Sequence, residues 1–149
     1  MKIKVQVEDF DLSQELCELR ANQPQTGAIV SFVGTVRDMN EGDIVQSMSL
    51  EHYPGMTEAA LFDIADRASQ RWVVQNITII HRVGQLKPLD QIVLVMVATK
   101  HRSDAFSACE FIMDYLKTSA PFWKKESGTA GDRWVDARES DEDHLKKWQ

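Results

Sequence analysis

Residues 76–84, "NITIIHRVG", and 90–100, "DQIVLVMVATK", constrain this chain most. Both are rich in β-branched residues, and "QLKPLD" (85–90) lies between them. Runs of this length, bounded by Gly, Pro and Asp, favour strands over helices. Two strands joined by so short a connection form a hairpin, which demands an antiparallel or mixed sheet. The central apolar run, "IVLVMVA" (92–98), is far too short to cross a bilayer.

The rest of the chain reads around that hairpin. Residues 2–8 alternate, with Ile3, Val5 and Val7 on one face, the period of a half-buried strand. In "DLSQELCELRAN" Asp11 is placed to cap a short helix whose Leu12, Leu16 and Leu19 face inward. "TGAIVSFVGTV" (26–36) and "DIVQSMSLEHY" (43–53) read as strands joined across "RDMNEG", where Asn40 and Gly42 suit a hairpin turn. After Pro54-Gly55 a helix opens near Thr57, with Leu61, Ile64, Ala65 and Ala68 on its buried side. Ser103 is positioned to cap a third helix that runs to about Lys117, before Pro121. "RWVD" (133–136) predicts a final strand, and a polar tail begins near residue 139. The order β-α-β-β-α-β-β-α-β predicts one α+β domain over residues 1–149, a mainly antiparallel or mixed sheet covered by helices.

Bulk chemistry excludes several function classes. The net charge is −6, against the basic stripe expected of a nucleic-acid protein. The N-terminus lacks the apolar stretch of a signal peptide, so the expected location is the cytoplasm, with no membrane segment. Cys17 and Cys109 have no metal-site spacing and fall at helical apolar positions, where thiols are inert. His52 and His81 lie in predicted strands and read as core or network histidines. No Gly-rich phosphate loop and no nucleophile elbow occurs.

What remains is a set of cations around the third helix. Its apolar stripe is Phe106, Cys109, Ile112, Met113 and Leu116. Lys117 lies about 20° from Phe106 and about 40° from Met113 around the axis, at the margin of that stripe. The position fits first a lysine that snorkels from the core edge, and second one at the mouth of a pocket. In "SAPFWKKE" Pro121 and two aromatics make a rigid turn that holds Lys124 and Lys125 near the helix end. His101 and Arg102 fall between a strand end and a helix N-terminus, where free N–H groups and an Arg fork suit a phosphate. Arg37 opens a loop after "FVGTV".

Six segments in order, "GAIVSFVGTVRD", "LEHYPGMTE", "HRVG", "HRSDAF", "FIMDYLKTSAPFWKKE" and "GDRWVDARESD", resemble the large, catalytic subunits of molybdopterin synthase. The resemblance spans residues 27–141. It implies an α/β hammerhead-like fold and a sulfurtransferase that makes the molybdopterin dithiolene. The implied substrate is cyclic pyranopterin monophosphate. The implied sulfur source is the thiocarboxylated Gly-Gly terminus of a small ubiquitin-like carrier subunit. A central homodimer of large subunits within a heterotetramer is implied too, and no metal, ATP or other cofactor. Lys117 and Lys124 match the catalytic lysines. Arg37, His101 and Arg102 match residues that hold the substrate anion, and Arg138 matches one that reaches the neighbouring subunit's pocket. Lys125 is a less certain participant, and Met113 lines the pocket. The residues alone also admit a non-catalytic module that docks a ubiquitin-like tail.

Overall fold

The computed structural model describes residues 1–40, 43–128, 131–135 and 139–149, leaving aside the side chains of 39, 40, 43–45, 132–135, 139 and 140. The first sheet has the order β1-β5-β7-β2, made of β1 (Lys2–Gln6), β5 (Val74–Arg82), β7 (Gln91–Thr99) and β2 (Ala28–Thr35). Only the β1–β5 pair is parallel; β5–β7 is the antiparallel pair that the two apolar runs predict.

Strand β7 explains why the longest apolar run shows no alternation. Its Val93, Val95 and Val97 pack under α2 (Met56–Arg71) and α3 (Arg102–Ser119). Its Leu94, Met96 and Ala98 pack on the other face with Phe10 and Leu19, under α1 (Leu12–Arg20). A strand covered on both sides has no solvent face to mark with polar residues. Each of these valines, Leu94 and Met96 contributes roughly 1.5–3 kcal/mol by its burial.

Helix α1 starts as its sequence predicts: Asp11 Oδ1 accepts the Gln14 N–H at 3.1 Å. Helix α2 buries Leu61, Ile64, Ala65 and Ala68 and begins after Gly55, whose φ of +85° suits glycine. The Gly55 N–H is taken by Glu58 Oε2 at 2.8 Å.

The second sheet has the order β3-β4-β8-β9: β3 (Met39–Asn40), β4 (Asp43–His52), β8 (Phe122–Gly128) and β9 (Gly131–Val135), with β6 (Gly84–Leu86) also paired to β4. Beneath it lie Val36, Met48, Leu50, Val83 and Leu86.

Several expectations are corrected. The two strands flanking "RDMNEG" do not pair; β2 joins β7 in the first sheet and β4 joins β8 in the second. The tight pairing there is between β3 and β4, and Gly42 lies outside the described residues. Helix α3 begins at Arg102 with His101 at the cap position, two residues before the cap predicted at Ser103, and it continues to Ser119. Phe106, placed on the buried stripe, is 62% exposed, and Val7 is exposed beyond the end of β1.

The polar tail folds as α4 (Glu139–Leu145) and a 3-10 turn (Lys146–Trp148). Trp148 meets Trp72 and Phe111 edge-on and donates from Nε1 to Asp114 Oδ2 at 2.7 Å. Its carbonyl accepts Arg71 Nη1 at 2.8 Å, while Lys147 pairs with Glu110. Apolar and charged contacts together hold the segment against α2 and α3.

Candidate functional site

Helix α3 sets the geometry, because it carries candidate residues at both ends. Arg102 is its first residue and Lys117 stands two before its last. Fifteen residues at 1.5 Å each separate them by about 22 Å. His101 and Arg102 are both exposed at the end of β7, beside the start of β2. That corner is tight. Thr99 Oγ1 donates to the His101 carbonyl at 2.6 Å, and the Gly27 N–H donates to the Thr99 carbonyl at 2.9 Å. A Cβ on Gly27 would collide with the Lys100 carbonyl oxygen, so glycine is required by close approach.

Lys117 lies at the other end of the sheet, exposed on the shoulder of α3 beside buried Met113 and Leu116. Phe106, on the same meridian, is exposed too, which locates that meridian outside the core. Beyond the helix, "PFWKKE" is not a turn: residues from Phe122 onward form β8. Strand alternation then separates the two lysines predicted to sit together. Phe122, Lys124 and Glu126 share one face, opposite His52, Leu50 and Met48 of β4, while Trp123 and Lys125 share the other.

The face bearing Lys124 turns inward. Glu126, Met48 and Leu50 are buried, and Lys124 Nζ lies 3.7 Å from Glu126 Oε1 with its side chain 35% exposed. A half-buried lysine paired with a buried carboxylate is held in place at one end of its reach. Trp123, on the outer face, meets Tyr53 edge-on at 4.1 Å.

His81 joins these elements. On β5 it shares the α2/α3-facing side with Ile77 and Ile79 and is buried. Its ring stacks on Phe122, with centroids 3.8 Å apart and planes at 19°. Burial pushes the imidazole down to about 4, against a raising effect of its bond to the Arg82 carbonyl, with the charges of Lys117 and His52 adding to the lowering. His52 lies across from Phe122 on β4. Its Nδ1 faces Glu58 Oε1 at 3.8 Å, beyond hydrogen-bond reach, and neither atom has a partner among the described residues.

Arg37 belongs to the lysine end as well. It is exposed and follows buried Val36, whose N–H donates to the Asp90 carbonyl at 3.0 Å and whose side chain packs with Leu50. The topology thus places Arg37 and Lys117 toward one end of the first sheet, with Lys124 on β8 of the second sheet, and His101 with Arg102 at the other end of the first. Arg138 lies outside the described residues.

Sequence reasoning left two elements of the lysine end unassigned. Glu126 was legible only once Lys124 was known to sit in a strand, where residues i and i+2 share a face. His81 was read as a core or network histidine, but its neighbour Phe122 is forty-one positions away and no local pattern announces that contact. The thiols divide. Cys109 is buried and its pKa is pushed up to about 12, chiefly by burial, whereas Cys17, expected on an apolar face, is exposed. Among the described residues no group of three or more His, Cys, Asp or Glu could hold a metal ion, and no helix is long and apolar enough to cross a membrane.

Comparison with known proteins adds the following. The family described as "MoaE protein" matches residues 5–119. A molybdopterin synthase catalytic subunit of Ralstonia nicotianae is 62% identical over 146 residues, 98% of this chain and 83% of that protein. The molybdopterin biosynthesis MoaE protein from Burkholderia ambifaria is similar in structure, with a TM-score of 0.86, 56% identity and coverage of 99% of this chain and 97% of that one. A crystal structure of molybdopterin synthase from Staphylococcus aureus gives a TM-score of 0.84 at 31% identity, covering 91% of this chain and 98% of the other.

Proposed function

The chain belongs to the MoaE protein family, and from that premise we propose how its two basic ends perform the family's reaction. Its activity is that of a molybdopterin synthase catalytic subunit, a transferase of molybdenum cofactor biosynthesis. One observation supports this choice of the reacting end: His81, on which the charge of Lys117 acts, stacks on Phe122, two residues before Lys124 on the same face of β8.

The word "subunit" in the relative's name points to a further chain, and the family resemblance implies a small carrier with a thiocarboxylated Gly-Gly tail. Its sulfur forms a C–S bond to a side-chain carbon of cyclic pyranopterin monophosphate as a C–O bond at that carbon breaks and the oxygen leaves with its electron pair, so that carrier and substrate are joined through a thioester. Lys117 stabilises the oxyanion that forms at the carrier's terminal carbonyl and moves protons there. Lys124, steadied by Glu126, assists on the substrate side. Water releases the spent carrier, and a second loaded carrier repeats the step. Cys109 is unsuited to hold sulfur, being buried and protonated at neutral pH. The sulfur delivered is that of the carrier's thiocarboxylate.

Arg102 and Lys117 of one chain are too far apart to touch one small substrate. A two-fold dimer resolves this by placing His101 and Arg102 of one copy at the lysine end of the other, where Arg37 also lies. Each substrate is then oriented by both copies, which converts sulfur attack into an intramolecular-like step. The expected compartment is the cytoplasm.

Mixing two inactive variants tests both claims. Lys117→Ala and Arg102→Ala should each lose dithiolene formation with loaded carrier, while remaining folded. Re-equilibrated together, half of the dimers carry one intact composite site, so activity should return to about a quarter of the wild-type level. No recovery would place each site within a single chain. A near-normal yield from Lys117→Ala alone would reduce that lysine to a structural snorkeller. Retention of the pterin without catalysis, in every variant, would favour a binding module instead.

A further inference from the structure

We propose that two copies of this chain join along the free edge of β2: the two strands pair antiparallel about a two-fold axis at Phe32, merging the two first sheets into one. The proposal rests on the reading that a second copy completes each site.

The two edges of the first sheet are built differently. Strand β1 closes one side as "KIKVQ", and its Lys2 is tied to Glu15 and Glu18 of α1 at 2.8 and 2.6 Å. Charged side chains on an edge discourage pairing with another chain. Strand β2 closes the other side as "AIVSFVGT", eight residues without a charge or a proline. Among the described residues it pairs with β7 alone. None of its residues is buried, although β7 beside it is buried from Val93 to Thr99. Phe32 is 39% exposed at the middle of the strand. The irregularity next to Gly34 belongs to β7, where Ile92 is the extra residue, so β2 itself stays regular. Bonds from the Gly27 and Val36 N–H groups carry the ladder one residue past either end. So long an uncharged edge is either an aggregation hazard or an interface.

Symmetry restricts how a second copy can lie there. An axis perpendicular to the sheet runs the two strands antiparallel and keeps the α3 helices of both copies on one face. Paired residues point to the same face and side chains alternate, so one residue of β2 must face its own copy. With Phe32 in that place, the two exposed rings cover each other as a cross-strand aromatic pair. Val30 then faces Gly34, and Gly27 faces Arg37 of the second copy. Gly27 is bonded to Thr99 at the His101–Arg102 corner, so this register delivers that corner to Arg37. Centring on Ser31 would set Gly27 opposite Thr35, two residues short. The lengths agree as well: eight strand residues span about 26 Å, close to the separation of Arg102 and Lys117 along α3.

Disulfide trapping reads the register, because only a residue on the axis meets its own copy. In a Cys17→Ser background, Phe32→Cys should give a covalent dimer on oxidation, since directly opposed residues lie about 4.5–5.5 Å apart between Cα atoms. Val30→Cys should not, as the stagger sets its two copies about 13 Å apart along the strands. Phe32→Glu brings two carboxylates face to face. It should halve the mass measured by light scattering and abolish dithiolene formation, with native far-UV circular dichroism. If that variant fails to fold, the two cysteine variants decide. A wild-type dimer in which Phe32→Cys stays uncrosslinked and Phe32→Glu stays dimeric overturns this inference and leaves the composite site standing. A Phe32→Glu chain that remains dimeric but no longer retains the carrier assigns the edge to the carrier, and overturns it too. A monomeric wild-type chain with full activity sinks the composite site itself.

Discussion

Acid should destabilise this protein through one buried imidazole, and the size of the effect follows from its surroundings. His81 is held neutral by burial, with a native pKa of about 4 against 6.5 for the unconstrained group. Between those values the unfolded chain binds a proton that the native chain refuses. Stability rises with pH wherever the unfolded state binds more protons, so the contribution is full above 6.5 and shrinks as pH falls toward 4. Below 4 both states are protonated and the loss levels off. At 1.36 kcal/mol per pH unit, the gap between about 4 and 6.5 gives a total of about 3 kcal/mol, of which roughly 2 are lost by pH 5.

Urea unfolding at a series of pH values from 7 to 4 measures this, at fixed protein concentration because association adds to apparent stability. Other groups titrate in the same window, so the informative quantity is the difference between wild type and His81→Phe. That variant has no proton to bind in either state. Its stability relative to wild type should climb by about 2 kcal/mol from pH 7 to pH 5, whatever its offset at neutral pH. A difference flat to within about 0.5 kcal/mol would refute the reasoning, since it would mean that the native imidazole protonates as readily as a solvated one.

Other perturbations have equally definite outcomes. Gly27→Ala forces a Cβ against the Lys100 carbonyl, a backbone atom that cannot rotate away; it should cost about 1–3 kcal/mol in urea unfolding and, by shifting the His101–Arg102 corner, raise KM for the pterin. Trp148→Ala removes the Asp114 hydrogen bond and the edge contacts with Trp72 and Phe111, and calorimetry should show a loss of about 2–3 kcal/mol. A thiol reagent at pH 8 should modify Cys17 in the native protein and reach Cys109 only after unfolding, as mass spectrometry of the labelled peptides would show.

What the sequence revealed, and what it hid, divides along the range of the contacts. Elements stabilised by their own neighbours were legible: the Asp11 cap, the buried stripe of α2 and the paired runs of β5 and β7. Partners far along the chain were not. Strand β4 finds β8 about seventy-five residues away, so nothing near "RDMNEG" warns that the strands on either side enter different sheets. The last residues read as polar because Trp148 is their one large aromatic, and its pocket is built by Trp72 and Phe111. For the site, residue types were legible and their sharing of space was not. Pro121 and two aromatics suggested a turn, and only the pairing of β8 with β4 shows Lys124 and Lys125 facing opposite ways.

On the proposed reading, helix α3 explains how a chain of net charge −6 can serve an anionic substrate. Its N-terminal N–H groups, beside exposed His101 and Arg102, form a positive end suited to a phosphate. Its C-terminal carbonyls form a negative end, where the Lys117 ammonium is stabilised at a position it would hold less firmly elsewhere. The two ends cannot meet within one helix, since a helix is a rigid rod about 27 Å long over eighteen residues. They can meet between two antiparallel copies related by a two-fold axis, and then every site receives one end of each kind. On the proposed reading, dimer dissociation should abolish activity in parallel with pterin retention while leaving Lys117 and the His81–Phe122 stack undisturbed. A monomeric variant that still turned over loaded carrier at the native rate would show that one chain holds the whole site.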